Sequence, residues 1–435
     1  MKKISVTTLG CKVNQFESAS FITGFEEQGC EIVSDSEPAD IFVINTCAVT
    51  ARAGQQSRQL IRKIMRKNPD ARLVITGCYA QMAAEELLEI VTPNPLSIIG
   101  NGNKHRLVTT TLAKTQPDMI MLTGKISTEK KICPLSVRRF SGRTRAYLKI
   151  QDGCNNFCTY CIVPYTRGRS RSLAKQQVME QINTFYEEGY REIVVTGINV
   201  GKYGQDLPEK TDIYALLDNI CSSHPAIRFR LSSIEPTEVN EKLLNLMAGY
   251  DNFMPHLHIP LQSGDDGVLA RMNRRYTTET IVNVMRKINR SLPHAAIGCD
   301  IMGGFPGEDA RAADSTYRLL SGLPISYLHV FPYSRRPGTL AAEFNNQVTG
   351  PVKDERVARL RSLGREKQQT FYQQNIGRTC RVLVERVHRE TNLLQGFSDN
   401  YIPLIFEGPR SALKKIVQVT LTDVQDGQPM GTLLN

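Results

Sequence analysis

Residues 151–171 read QDGCNNFCTYCIVPYTRGRSR, and Cys154, Cys158 and Cys161 within them stand in a CxxxCxxC array. Three thiols packed this closely fit neither an extended strand nor a regular helix. They predict a loop wrapped around a metal centre. A structural zinc site takes four protein ligands, and an electron-transfer 4Fe-4S cluster takes four cysteines. This loop offers three, and a cubane held by three cysteines keeps one iron open for a substrate. Asn155, Asn156, Thr159 and Tyr160 between the thiols are polar or aromatic, which suits the mouth of a site better than a core.

Upstream, residues 4–9, 41–45 and 73–76 are short β-rich runs, with shorter candidates at 31–33 and 97–99. Residues 15–28, 57–67 and 82–90 have helical character. This alternation predicts an α/β unit, an open, doubly wound, mostly parallel sheet with helices on both faces. Cys11, Cys47 and Cys78 each follow one of the strands. In such a sheet those strand ends share one edge, where ligands bind. Three cysteines far apart in sequence are therefore expected to meet, in turns where Gly10 and Gly77 let a bulky group approach the backbone. The expectation is a second three-ligand cluster; three buried cysteines of an α/β core are the alternative.

Downstream, residues 110–139 look irregular and read as a connector. A second alternating series follows, with strands at 146–150, 192–196, 229–232, 257–261, 297–302 and 327–331. Helices are expected around 174–188, 213–222, 238–247, 278–289 and 310–320. Six βα units predict a partial parallel barrel whose site gathers at the carboxyl ends of its strands. Those ends carry Thr196 and Asn199, Ser232 and Glu235, Gln262, the GGFPGE run at 303–308, and Phe331. They offer polar groups for ribose, carboxylate and ammonium, and glycines for close approach to an adenine. Residues 352–374 read as a charged linker helix. Short runs at 379–387, 395–397, 402–406 and 415–422 then predict a small β-barrel, a shape that often binds RNA. The expected domains are 1–125, 140–371 and 374–435.

Fifty-four basic against 43 acidic residues give a net charge of +11, which favours a polyanionic partner such as nucleic acid. Basic residues cluster at Arg58, Arg62, Lys63, Arg66 and Lys67, at Arg138, Arg139, Arg143 and Arg145, and at Arg167, Arg169 and Arg171. No stretch approaches the roughly 20 apolar residues of a membrane span, and the N-terminus lacks a signal-like apolar run. A cytoplasmic setting is expected, in which eleven cysteines point to metal or redox chemistry more than to disulfides. Cys30, Cys133, Cys221, Cys299 and Cys380 are assigned no chemistry, and His258 reads as a packed strand residue. Composition leaves open a non-enzymatic reading, an RNA-binding protein with zinc sites.

The CxxxCxxC array, with Tyr160 just before its last cysteine, resembles the signature of the radical S-adenosylmethionine (SAM) superfamily. The whole chain resembles its methylthiotransferases, which join a three-cysteine domain, a SAM barrel and a C-terminal TRAM domain. GCKVNQ at 10–15 and NTCAVT at 45–50 resemble the subgroup that modifies N6-threonylcarbamoyladenosine in tRNA. Relatives acting on isopentenyladenosine in tRNA, or on an aspartate of a small-subunit ribosomal protein, are the alternatives.

The resemblance implies two 4Fe-4S clusters. One, on Cys154, Cys158 and Cys161, would chelate SAM and split it to methionine and a 5′-deoxyadenosyl radical. The other, on Cys11, Cys47 and Cys78, would carry the sulfur to be transferred, so that a methylthio group replaces the C2 hydrogen of the adenosine next to the anticodon. Implied partners are tRNA, SAM and a low-potential electron donor, with no membrane. The expected SAM contacts are the Tyr160 backbone, Thr196, Asn199, Ser232, Glu235, Gln262 and Phe331, with Arg169 or Arg171 on the methionine carboxylate, which an arginine fork matches. Arg58, Arg62, Lys63 and Arg66, with the C-terminal barrel, are expected to track phosphates.

Overall fold

The computed structural model describes residues 1–91, 94–114 and 117–434. Six parallel strands, β1 (Lys3–Thr8), β2 (Glu31–Val33), β3 (Ile41–Thr46), β4 (Arg72–Gly77), β5 (Leu96–Ile99) and β6 (Met119–Leu122), form one sheet in the order β2-β1-β3-β4-β5-β6. β3 is buried along its length and apolar over its first four residues because both its faces are covered. Phe42 and Ile44 pack with Ile61 and Ile64 of α2 (Ala51–Lys67). Ile41 and Val43 pack with Phe21 and Phe25 of α1 (Lys12–Glu27). The strand order reverses direction between β1 and β3, and the crevice at such a switch point is where doubly wound sheets bind ligands.

β6 overturns part of the irregular connector expected at 110–139, into whose start the helix Leu107–Leu112 also runs. β6 is an edge strand that leaves Met119 and Met121 in the open, so neither a β-branched run nor an apolar alternation marks it. Residues 115 and 116 of that connector, and residue 435 of the expected C-terminal domain, lie outside the described residues.

The second unit is the expected partial barrel. β7 (Ala146–Lys149), β8 (Glu192–Thr196), β9 (Arg228–Leu231), β10 (His256–Gln262), β11 (Ala296–Gly303) and β12 (Tyr327–Pro332) run parallel in sequence order. Single bridges Phe229–Phe253 and Ser233–His258 join the β9 and β10 halves. Phe16 and Ala19 of α1 belong to this barrel's core, so one helix is shared by sheet and barrel.

The third unit is a closed barrel of β13 (Thr379–Val387), β14 (Leu394–Ser398), β15 (Pro403–Phe406), β16 (Ile416–Gln425) and β17 (Gln428–Leu433). β17 lies outside the expected strands because Pro429 and Gly431 interrupt its pattern. The helix Gly350–Gln374 spans both units, placing Val357, Leu360 and Leu363 in the barrel core and Tyr372 in the C-terminal one. No helix among the described residues is long and apolar enough to cross a membrane.

Glu192 holds the C-terminal barrel in place through arginines. Fully buried, it pairs with Arg228 and Arg230, both at 2.8 Å. These donate onward to the carbonyls of Arg381 (3.1 Å), Asp399 (3.0 Å) and Ser398 (3.2 Å). Burial pushes the Glu192 pKa up, but the charges of Arg230, Arg228 and Arg145 outweigh it and bring it from 4.5 to about 2. A carboxylate held below its unfolded value contributes stability at neutral pH that is lost as pH falls through that window. The melting temperature is therefore expected to decline from about pH 4.5 towards 2. Glu192→Gln should be destabilised at pH 7 and show a shallower decline; equal acid sensitivity in the two proteins would refute this.

Candidate active site

Cys11 caps α1, Cys47 follows β3, and Cys78 opens α3 (Cys78–Met82). Because β1, β3 and β4 are neighbours in the sheet, the three thiols lie along one sheet edge, near enough for Cys78 and Cys11 to act on Cys47. Gly10 sits at φ +101°, where a Cβ would lie 2.8 Å from Cys47 Cβ and 2.9 Å from its Sγ. Asn14 clamps the turns, its Nδ2 donating to the Leu9 (2.7 Å) and Thr46 (3.0 Å) carbonyls. Burial, with the neighbouring Cys78 and Cys11 thiols adding to it, pushes the Cys47 pKa up to about 11.

The surroundings of this trio call for an anion. Arg336 is 3% exposed, its Nε and Nη1 have no partner among the described residues, and the titratable groups acting on it are the Cys47 and Cys78 thiols and the Tyr79 hydroxyl. Beside the trio lies a buried ionic hub, each member at most 5% exposed. Glu17 pairs with Lys104, with Lys149 at 3.1 Å and with Arg167 at 3.0 Å. Asp152 pairs with Lys149 at 3.2 Å and Arg167 at 3.0 Å. Three cations against two carboxylates leave one positive charge, and Cys78 and Cys11 both act on Arg167. Buried charges require compensation, and a thiolate-ligated iron-sulfur cluster fits that need.

Cys154, Cys158 and Cys161 stand in a loop closed at its base by antiparallel pairing of Gln151–Asp152 with Arg171–Ser172. Gln151 Oε1 accepts from the Ile198 (3.0 Å) and Asn199 (2.8 Å) amides, tying the β8 end to this loop. Donors are aimed at the sulfurs: the Asn156 amide lies 3.4 Å and Asn199 Nδ2 4.0 Å from Cys154 Sγ, and Arg274 Nη1 lies 3.5 Å from Cys158 Sγ. Such hydrogen bonds suit a cluster with negatively charged sulfurs. Burial pushes the Cys161 pKa up to about 12, with Cys158 and Cys154 adding to it. The short helix Val163–Arg167 follows directly and links this loop to the N-terminal trio, its Thr166 carbonyl accepting from Asn101, whose Nδ2 also lies 3.9 Å from Cys78 Sγ.

Thr196 and Ser232 line a cavity of about 520 Å³ that Cys11 also borders. Glu235 lines a second cavity of about 90 Å³ with Cys158 and Arg274, and is ion-paired to Arg274. Ser232 Oγ and Gln262 Oε1 are buried without a partner among the described residues, as polar groups kept for a ligand would be. Gln262 takes a left-handed φ of +67° at a strand irregularity between Pro260 and Gln262. Tyr160 and Phe331 pack on the cluster of Phe305 and Tyr333.

Several expectations fail for physical reasons. Arg169 stacks on Phe157 at 4.7 Å. Arg171 is buried and donates to the Arg167 and Lys131 carbonyls, so neither arginine lines the two cavities. Arg167, grouped with the surface bases by sequence, is the centre of the hub. Arg58 is committed to the Tyr79 hydroxyl (2.9 Å) and Glu86 (3.5 Å), whereas Arg62, Lys63 and Arg66 are exposed. His258 is no mere packing residue: it borders the large cavity and pairs with Asp300 at 2.8 Å. Sequence reasoning missed Arg274, Arg336 and the hub; the available signal was Lys149 at the end of the otherwise uncharged strand β7.

Residues 3–97 match the model of Uncharacterized protein family UPF0004, and residues 148–320 match that of the Radical SAM superfamily. The chain is 37% identical to threonylcarbamoyladenosine tRNA methylthiotransferase MtaB of Bacillus subtilis, over 97% of this chain and 94% of that one. Identity to the protein of the same name from Aquifex aeolicus is 36%, over 96% and 100%. The tRNA-2-methylthio-N(6)-dimethylallyladenosine synthase of Pelotomaculum thermopropionicum is 33% identical, over 100% and 98%. Among solved structures, the radical S-adenosylmethionine methyltransferase TsrM from Kitasatospora setae shares the fold, with a TM-score of 0.57 at 15% identity over 78% of this chain and 77% of that one. With relatives of this identity spanning nearly its whole length, the chain belongs to the family of radical SAM methylthiotransferases.

Proposed function

We propose that this chain methylthiolates C2 of N6-threonylcarbamoyladenosine next to the anticodon of tRNA. The observation that carries the reading is the pair of three-cysteine sites, one in the loop after β7 and one at the sheet edge, the latter bordering the 520 Å³ cavity through Cys11, in a chain whose relatives bear that substrate's name. The family uses SAM and two 4Fe-4S clusters. Cys154, Cys158 and Cys161 hold one and Cys11, Cys47 and Cys78 the other. Bound there, the clusters supply one-electron cleavage of SAM and a transferable sulfur, chemistry that an unactivated aromatic C–H requires.

The chain's own groups orient and balance these charges. Asn199 and Arg274 donate towards the sulfurs of the barrel loop. Arg336 and the hub set a positive field beside the N-terminal trio. Thr196, Ser232 and Gln262 offer polar atoms to SAM, and Tyr160 and Phe331 an apolar wall. Residues 1–125 act as the sulfur-donating domain, 140–371 as the SAM barrel and 374–435 as an RNA-binding barrel. The reaction runs in the cytoplasm with a low-potential electron donor.

The exposed Arg62, Lys63 and Arg66 of α2 track tRNA phosphates. Arg62→Glu with Arg66→Glu is expected to weaken tRNA binding about tenfold and to lower the salt slope by about two. An affinity unchanged across a salt series would contradict it. The function itself is tested by nucleoside analysis of tRNA from cells lacking the gene. The expected result is N6-threonylcarbamoyladenosine in place of its methylthio form; loss of the methylthio group from dimethylallyladenosine instead would overturn the reading.

A further inference from the structure

We infer that Lys12 receives the carboxylate of the substrate's threonyl group and so sets which N6 substituent the cavity accepts; this rests on the substrate class proposed above. Lys12 lines the 520 Å³ cavity together with Arg145, Arg230 and Asp300. The other charges are already matched. Arg230 is held by Glu192 at 2.8 Å, Arg145 by Glu385 at 2.7 Å, and Asp300 by His258 at 2.8 Å. Of the charged side chains lining the cavity, Lys12 alone has no hydrogen bond or ion pair among the described residues.

The chemistry of the two substrates named among the relatives separates them at this point. A threonylcarbamoyl group ends in a carboxylate, which forms a charge-assisted hydrogen bond to an ammonium. A dimethylallyl group is hydrocarbon and would cover the ammonium without pairing it, stripping its water with no hydrogen bond in return. Position also fits. The N6 substituent and C2 flank the same edge of the adenine, so a receptor for the substituent belongs close to the sulfur-donating site. Lys12 directly follows Cys11. His256 and Tyr401, stacked at 4.4 Å, give the cavity a flat wall suited to a purine, and Tyr401 brings the C-terminal barrel into the site.

The test uses the holoenzyme with both clusters reconstituted, as wild type, Lys12→Met and Lys12→Arg. Substrates are anticodon stem-loops bearing N6-threonylcarbamoyladenosine, its threoninamide analogue, or N6-dimethylallyladenosine. Wild type is expected to favour the carboxylate over the carboxamide by about 10- to 100-fold in kcat/KM, expressed in KM and in stem-loop Kd. Lys12→Met should treat the two alike and Lys12→Arg should restore the preference, with the electron paramagnetic resonance signals of both clusters as in wild type. Equal use of carboxylate and carboxamide by wild type, or a preference surviving in Lys12→Met, overturns the inference and leaves the proposed function standing. So does an equal loss on both substrates with an altered cluster signal, which would assign Lys12 to the cluster. Wild type acting on the dimethylallyl stem-loop alone overturns the proposed function itself.

Discussion

Cys47→Ala is expected to retain SAM cleavage while its methylthiolated product falls below detection. Cys47 is buried between Cys11 and Cys78 in the sheet-edge trio, and the barrel loop that holds the other trio does not depend on it for any hydrogen bond. About half the iron and sulfide should therefore be lost from the variant, because each cubane carries the same inventory. Cys154→Ala is the complementary case: 5′-deoxyadenosine should vanish along with the product. The two variants together separate a cluster that cleaves from a site that donates. Full product formation by Cys47→Ala, or 5′-deoxyadenosine from Cys154→Ala, would contradict the division of labour.

Glu17→Gln is expected to destabilise the fold by about 3–5 kcal/mol, the usual cost of removing one partner from a buried ionic group. Glu17 is 1% exposed and neutralises Lys104, Lys149 and Arg167 at once. Burial alone would raise its pKa, yet Arg167, Lys104 and Lys149 hold it well below the ordinary carboxylate range, so the ionised form is the folded one at neutral pH. Its loss leaves three cations facing Asp152 alone. Because Glu17 sits on α1, which packs on both the sheet and the barrel, the damage should reach the joint between the two cysteine sites. Denaturant unfolding measures it. Combining Glu17→Gln with Lys104→Met should recover part of the loss, whereas a change within about 0.5 kcal/mol for the single variant would show that the hub is not the joint.

Much of this architecture was legible because the relevant signals are local. A cysteine one or two residues past a strand end is visible in sequence, and three such strands had only to be sheet neighbours for the thiols to meet. The barrel strands were legible for the same reason, each being an apolar run between helical stretches. What the sequence concealed is burial of charge. Arg167 and Arg169 look alike in RGR, yet the first centres a hub and the second stacks on Phe157. Lys104 lies in a polar stretch, and only the packing of α1 against the segment 101–112 makes its ammonium a partner for Glu17. Arg274 and Arg336 sit in loops far from the cysteines they serve, beyond the reach of any periodicity. β6 escaped notice because it is an edge strand of only four residues, all apolar, with two exposed methionines, too short for its residue types to show alternation.

The central claim is that the two cysteine sites together place a methylthio group on a tRNA adenosine. The most direct measurement is mass analysis of nucleosides from N6-threonylcarbamoyladenosine-containing tRNA, incubated with the anaerobically reconstituted chain, SAM and a low-potential reductant. The predicted result is a gain of one methylthio group in place of the C2 hydrogen. An unchanged nucleoside from a chain that takes up zinc in place of iron and sulfide would contradict it.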